Sequence, residues 1–181
     1  MRARPSARPT APLLVAIVGA MIVSAGCVAQ GGATFPPAGT TPAPAGGATA
    51  GAQAQVQSVL AVEGIQLQDA KSPYRPPEGA IFASTARTVV QAVLPQDPDH
   101  GYIVLYAFGT PQEALAGAQD EASYIASGPG KVQFVPGTQF TLRVLGNIAI
   151  FFPWSPDSPD PSMASVSLAL SQVGDEVPIP G

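Results

Sequence analysis

The side chains best suited to chemistry lie in two loops that are rich in proline and aspartate. The first, PQDPDHG at 95–101, contains Asp97, Asp99 and His100, and the second, SPDSPDPS at 155–162, contains Asp157 and Asp160. His100 is the only histidine, so a Ser-His-Asp triad would need it as the base. A calcium ion takes about six to eight oxygen ligands, which is more than either loop supplies by itself.

The sequence also lacks the G-x-S-x-G turn that would present a serine nucleophile to this histidine. We therefore interpret both loops as exposed turns and predict no catalytic residue, no metal and no cofactor. Whether the protein is an enzyme is left open, and an exported hydrolase that uses His100 is the alternative from that class.

Two further motifs are better explained by structure than by chemistry. The stretch SGPGKV at 127–132 differs from a phosphate-binding loop, because Val132 stands where Ser or Thr should follow the lysine. It fits a helix end followed by a turn. Asp120 and Glu121 fall on the polar side of a predicted helix, so we predict that both side chains are solvated.

Aromatic residues give a softer signal for binding. Phe151, Phe152 and Trp154 lie together near the end of one predicted strand. Strand alternation sends Phe151 and Phe152 to opposite faces, so one of them leaves a core that is covered on one face only. We predict Trp154 and Phe152 as ligand contacts, since aromatic side chains serve as binding anchors. Packing inside the core is the alternative.

The only cysteine, Cys27, follows a segment with the layout of a secretory signal. Arg2, Arg4 and Arg8 give a basic start, LLVAIVGAMIV at 13–23 is apolar, and small residues lead to the cysteine. The apolar run is shorter than the roughly 20 residues that span a bilayer. A single cysteine also excludes an intrachain disulfide framework.

The segment VSAGC at 23–27 resembles the lipobox of bacterial lipoproteins, with Ala-Gly-Cys as its core. The resemblance implies that residues 1–26 are a signal peptide and that Cys27 becomes a diacylglyceryl-modified N-terminus. Two acyl chains hold a protein stably at a membrane, since each CH₂ contributes about 0.8 kcal/mol. The expected location is the extracytoplasmic side of the cell membrane. An uncleaved signal-anchor helix and ordinary cleavage are the alternatives.

Residues 28–57 contain no charge and no apolar period, and Gly, Ala, Pro, Thr and Gln dominate them. We predict that 27–57 is the lipidated N-terminus followed by a disordered linker. Three of the eight basic residues precede Cys27, so five remain against twelve acidic residues, a net charge of −7. Such an acidic domain has no electrostatic footprint for nucleic acid.

The remaining residues, 58–181, suit one domain with one core. The segment 110–128 has the signature of a capped helix, with Thr110 and Glu113 as a capping box and Leu115, Ala118, Ala122 and Ile125 on its apolar face. Apolar and β-rich runs predict strands, and Gly146-Asn147 predicts a hairpin between the last two of them. The predicted elements are strands at 88–94, 102–108, 139–145 and 148–154, helices at 110–128 and 162–174, and an additional strand within 59–67.

This order predicts an α+β fold: a single two-layer domain with a mostly antiparallel sheet and both helices on one face. A helix through 80–93 is the competing prediction for that segment. The stretches GYIVLYAFGTPQEA and FTLRVLGNIAIFFPW resemble the globular part of small, uncharacterised bacterial lipoproteins. That likeness implies no activity.

We therefore predict a membrane-anchored, exported lipoprotein of the bacterial envelope with a non-catalytic binding or scaffolding domain. Its expected partners are the membrane, through the lipid, and an envelope protein or small ligand. A structural envelope spacer without a ligand is the other alternative. A deep aromatic pocket would argue against such a spacer, and a flat polar sheet face would favour it.

Overall fold

The computed structural model describes residues 45–181. The predicted signal peptide, Cys27 and residues 28–44 of the predicted linker lie outside the described residues. The described helices are α1 (Ala45–Val62), α2 (Ala80–Ser84), α3 (Pro111–Ala126), α4 (Gly128–Lys131) and α5 (Ser162–Leu170). The strands are β1 (Leu67–Asp69), β2 (Ala86–Ala92), β3 (Tyr102–Ala107), β4 (Gln139–Leu145), β5 (Ile148–Trp154) and β6 (Asp175–Glu176). Among these helices, none combines the length and the hydropathy that a bilayer crossing requires.

The strands form one open antiparallel sheet in the order β1-β2-β3-β5-β4-β6. The predicted α+β class and antiparallel sheet are confirmed. β3 and β5 occupy the centre, with Val104 opposite Phe151. β4 and β5 have the predicted boundaries, because Gly146 adopts φ 56° in the turn that joins them. Glycine enters this left-handed region at little cost, which is why Gly-Asn specifies the hairpin.

The sheet is covered on both faces. One face carries α1 and α5 over Ile103, Leu105 and Phe152, and the other carries α2 and α3 over Val104 and Phe151. The prediction of both helices on one face is therefore wrong in this detail, since α3 and α5 lie on opposite faces. The physical reason is that β3 and β5 are apolar at successive positions, so each face needs a cover.

Helix α1 supplies the layer that the sequence analysis did not anticipate. It includes residues 45–57, which were assigned to the linker, so the predicted domain boundary at 58 is corrected to the start of α1. Ala52, Val56 and Leu60 recur every four residues and are buried against the sheet and α5. The predicted strand within 59–67 is also wrong, because 59–62 complete α1 and only Leu67 begins β1.

The capping box at the start of α3 is confirmed. Thr110 Oγ1 accepts from the Glu113 backbone N–H at 3.2 Å, and Glu113 Oε2 accepts from the Thr110 N–H at 3.1 Å. The buried face differs by one position from the prediction, because Ala114 is buried and Leu115 is exposed. The helix ends at its C-cap Ser127, whose hydroxyl caps the short helix α4.

Two other predicted elements are shorter than expected. The competing helix through 80–93 is correct only for α2, because β2 follows from Ala86. Helix α5 ends at Leu170, before the predicted stop at Gly174. Gly174 instead has φ 60° in the turn before β6, where a Cβ atom would lie 2.2 Å from the Val144 carbonyl oxygen. Only glycine fits this close approach.

Candidate functional site

The two aspartate-rich loops meet at one end of the sheet. We call them the β2–β3 loop (93–101) and the β5–α5 loop (155–161). Because β3 and β5 are antiparallel neighbours, the start of β3 and the end of β5 lie side by side. Ser158 Oγ donates to Asp97 Oδ2 at 2.5 Å, and the Gln96 backbone N–H donates to Asp160 Oδ2 at 2.9 Å. These two hydrogen bonds fasten the loops to each other.

A buried glutamine holds the β2–β3 loop against the sheet. Gln91 is almost fully buried in β2, and its Nε2 donates to the carbonyl oxygens of Pro98 and His100, each at 2.9 Å. Gly101 closes the loop with φ 83°, where a Cβ atom would lie 2.9 Å from the Ala92 carbonyl oxygen. The sequence analysis missed Gln91. Its only signal there was an amide between the apolar residues Val90 and Ala92.

His100 forms a pair with Asp97. His100 Nδ1 bonds Asp97 Oδ1, while the imidazole remains largely exposed to solvent. Burial opposes ionisation of Asp97, but the hydrogen bonds from Ser158 and His100 outweigh it and lower the pKa of this carboxyl. Asp97 therefore lies between Ser158 and His100. A Ser-His-Asp triad instead needs the histidine in the middle, and among the described residues no serine hydroxyl bonds the His100 ring.

A cleft of about 450 Å³ opens between these loops and the α4–β4 loop (132–138). Its aromatic walls are Tyr74, Tyr102, Phe134 and Trp154, and all four side chains are half-buried. Tyr74 and Tyr102 stack with ring centroids 4.3 Å apart and ring planes 10° apart. Burial raises the pKa of Tyr74 to about 12, so this phenol stays neutral at physiological pH.

The polar groups of the cleft come from the same loops. Asp97, His100, Ser155 and Asp157 line it from the first two loops, and Gln133 lines it from the α4–β4 loop. Among the described residues that line the cleft, none is Lys or Arg. The cleft thus combines apolar walls with a small number of polar groups, two of them carboxylates.

Of the two predicted contact residues, one lines the cleft and the other is buried in the core. Trp154 is on the cleft wall, where its predicted role as a ligand contact stays a prediction. Phe152 is fully buried in the core under α1 and α5, so its predicted contact role is wrong. Side chains two apart on a strand share a face. Trp154 therefore continues the face of Phe152 toward the end of β5, where it is half-buried and lines the cleft.

The prediction that Glu121 is solvated is also wrong. Glu121 is fully buried between α3 and α2, and its Oε2 accepts from the Gly79 backbone N–H at 2.8 Å. Its Oε1 has no hydrogen-bond partner among the described residues. Burial raises the pKa of this carboxyl to about 7, against the lowering effect of the Gly79 hydrogen bond. Asp120, its neighbour, is exposed as predicted.

A second buried carboxylate, Glu78, lies near Glu121. Glu78 Oε1 accepts from the Tyr106 hydroxyl at 2.6 Å, and Glu78 Oε2 accepts from Arg75 Nε at 2.9 Å. Glu78 is therefore fully engaged by neighbours. This cluster fastens the segment before α2 to β3, and Glu78, Glu121 and Tyr106 do not line the aromatic cleft.

Within residues 45–181, no group of three or more His, Cys, Asp or Glu side chains is arranged to hold a metal ion. The two aspartate-rich loops form a wall of the cleft where they meet.

Comparison with known proteins finds no matching family model, no matching curated protein and no matching solved structure.

Proposed function

We propose that this chain is an exported bacterial lipoprotein whose domain binds a small ligand in the aromatic cleft, outside the membrane. The cleft is the observation that carries the binding role. Its volume of about 450 Å³ falls within the range of roughly 300–1,000 Å³ that is typical of small-molecule sites. Such sites combine aromatic walls with a few polar groups that orient the ligand, as this cleft does.

The anchor is supported by the sequence alone. A basic start, a short apolar run and Ala-Gly-Cys at 25–27 fit a signal that is cut before a lipidated cysteine. We propose that residues 28–44 act as the linker between the lipid and α1. Gly-rich chains of that length have a root-mean-square span of roughly 20 Å.

The two alternatives fit the structure less well. A spacer without a ligand has no use for half-buried aromatic side chains that converge on a cleft. A hydrolase based on His100 lacks an activated serine, because none of the described serine hydroxyls hydrogen-bonds the His100 ring. The hydrolase would be favoured by an activity that the His100→Ala substitution abolishes without changing the thermal midpoint of unfolding.

Trp154 provides a built-in test, because it is the only tryptophan of the chain and lies on the cleft wall. The full chain is titrated with a panel of sugars, amino acids, and aromatic compounds of each charge while tryptophan emission is recorded. We expect a saturable change in emission for at least one compound. If no compound produces one, the binding role is contradicted.

A pair of tyrosine variants locates the binding. Tyr102→Leu removes a stacked ring from the cleft wall, and we expect it to lower the affinity for the ligand about tenfold. Tyr124→Leu is the matched control, because Tyr124 is a half-buried tyrosine of α3 that does not line the cleft. Equal losses in the two variants would place the binding elsewhere.

A further inference from the structure

The charges of the cleft point to one class of ligand. Asp97 and Asp157 line it without any Lys or Arg among the described lining residues. With His100 neutral, the lining carries two negative charges, and with His100 protonated it still carries one. We propose that the cleft binds an organic cation, a compound with a quaternary or protonated amine beside an apolar body. This inference rests on the proposed function, in which the cleft binds a small ligand.

The carboxylate of Asp97 is well placed to supply a lasting negative charge. It is buried, and its two oxygens are held by Ser158 and His100. A charge in a partly buried site is screened less by salt than one on the surface. The nearest arginine in sequence to the aromatic wall, Arg75, is already engaged by Glu78 at 2.9 Å, so it does not neutralise the cleft.

The aromatic walls favour the same class of ligand. A cation within about 6 Å of an aromatic ring face is attracted by the ring quadrupole, and Trp is the best partner, followed by Tyr and Phe. Tyr74, Tyr102, Phe134 and Trp154 place all three ring types around one volume. Aromatic rings and carboxylates together satisfy a cation with an apolar body, whereas the two carboxylates would repel an anion.

The whole domain reinforces this preference. All twelve acidic residues of the chain and five basic residues lie within residues 45–181, so the described part carries a net charge of −7. A negative protein draws cations toward it and raises their association rate at low ionic strength. The cleft and the domain around it thus both favour a positively charged ligand.

The test uses three probes with one aromatic ring and different charges: benzyltrimethylammonium, benzyl alcohol and benzenesulfonate. Each is titrated into the full chain, with Trp154 emission as the signal. We expect the cation to bind about tenfold more tightly than the neutral alcohol, and the anion to bind most weakly. Added sodium chloride should lower the affinity for benzyltrimethylammonium and leave the affinity for benzyl alcohol unchanged.

Asp157→Asn isolates the charge, because Asp157 is exposed and its replacement leaves the Asp97 hydrogen bonds in place. We expect this variant to lose roughly threefold or more in affinity for benzyltrimethylammonium and none for benzyl alcohol. Asp175→Asn is the matched control. It makes the same change in net charge on β6, outside the cleft, and should leave both affinities unchanged.

The inference is overturned if benzyltrimethylammonium binds no more tightly than benzyl alcohol, or if Asp157→Asn and Asp175→Asn behave alike. These results differ from a failure of the proposed function. If neutral or anionic compounds bind at Trp154 and the cation does not, only the ligand class is wrong. If no compound of the wider panel binds, the cleft has no binding role and both proposals fail.

Discussion

At the scale of single residues, Glu121 is a buried carboxyl with one oxygen that has no hydrogen-bond partner among the described residues. A carboxylate buried with one unpaired oxygen is costly when charged and much less so when protonated. Burial is the largest cause of its raised pKa, and the nearby Glu78 and Asp120 also favour the proton. The Gly79 N–H opposes them but engages only Oε2. The domain therefore holds a proton at Glu121 that the unfolded chain would release at lower pH.

This proton makes the stability of the domain depend on pH. Below a pH of about 4.5 the carboxyl is protonated in both states, so it does not penalise folding. As the pH rises toward about 7, the unfolded chain releases the proton and the folded chain keeps it, so the free energy of unfolding falls. The loss is on the order of 2–3 kcal/mol and is complete above pH 7.

We predict that Glu121→Gln removes this part of the pH dependence. The variant should gain stability relative to the wild type between pH 5 and pH 8, by roughly 1–3 kcal/mol, because the amide has no proton to lose. Urea unfolding at both pH values measures the gain. Glu63→Gln is the matched control at an exposed position of the chain and should show no such trend. If the difference in free energy of unfolding between Glu121→Gln and the wild type is the same at pH 5 and pH 8, the folded domain does not hold a proton at Glu121.

At the scale of elements, one side chain from the sheet, Gln91, holds the far part of the β2–β3 loop. Gln91 gives the carbonyl oxygens of Pro98 and His100 their donor from inside the protein. The adjoining backbone bonds are local, with the His100 N–H donating to the Asp97 carbonyl oxygen at 3.2 Å. Because Asp97 and His100 belong to this loop, the rigidity of their part of the cleft wall depends on how firmly the loop is held.

We predict that Gln91→Leu destabilises the protein by about 1–3 kcal/mol, since two part-buried carbonyl oxygens lose their donor. Hydrogen exchange of the His100 amide should speed up more than exchange in α3. Gln57→Leu, at an exposed position of α1, is the matched control and should change stability by less than about 0.5 kcal/mol. A cost for Gln91→Leu no larger than that of the control would contradict the role of this amide.

Elements specified by local chemistry could be predicted from the sequence. Thr110 and Glu113 mark the start of α3, and Gly146-Asn147 sets the β4–β5 hairpin, because capping and turn preferences act over a few residues. Helix α1 could not be predicted in this way. Its local signal is mixed, because its alanines favour a helix while Gly46, Gly47 and Gly51 disfavour one. Its helicity therefore depends on burying Val56 and Leu60 against the sheet and α5.

At the scale of the whole molecule, the cleft arises from parts that are distant in sequence. Asp97 and Ser158 are 61 positions apart, and only the antiparallel pairing of β3 and β5 brings their loops together. The sequence singled out both loops, His100 and Trp154, but gave no measure of their separation. The burial of Glu121 could not be predicted for the same reason, because the segment that contacts it includes Gly79, which is 42 positions away in the sequence.

We propose that acyl chains on Cys27 hold the negatively charged domain at the outer side of a membrane. Cys27 lies outside the described residues, so the proposed anchor is tested chemically. Intact mass measurement of the full chain, expressed in a bacterium and extracted from its membranes, tests it most directly. Cys27→Ser, which cannot be acylated on sulfur, is the matched control.

We predict a mature chain that begins at Cys27 and carries the added mass of a diacylglyceryl group, with the Cys27→Ser variant neither cut at this position nor lipidated. A chain that retains Met1, or one that begins at Cys27 without added hydrocarbon mass, would contradict the lipid anchor.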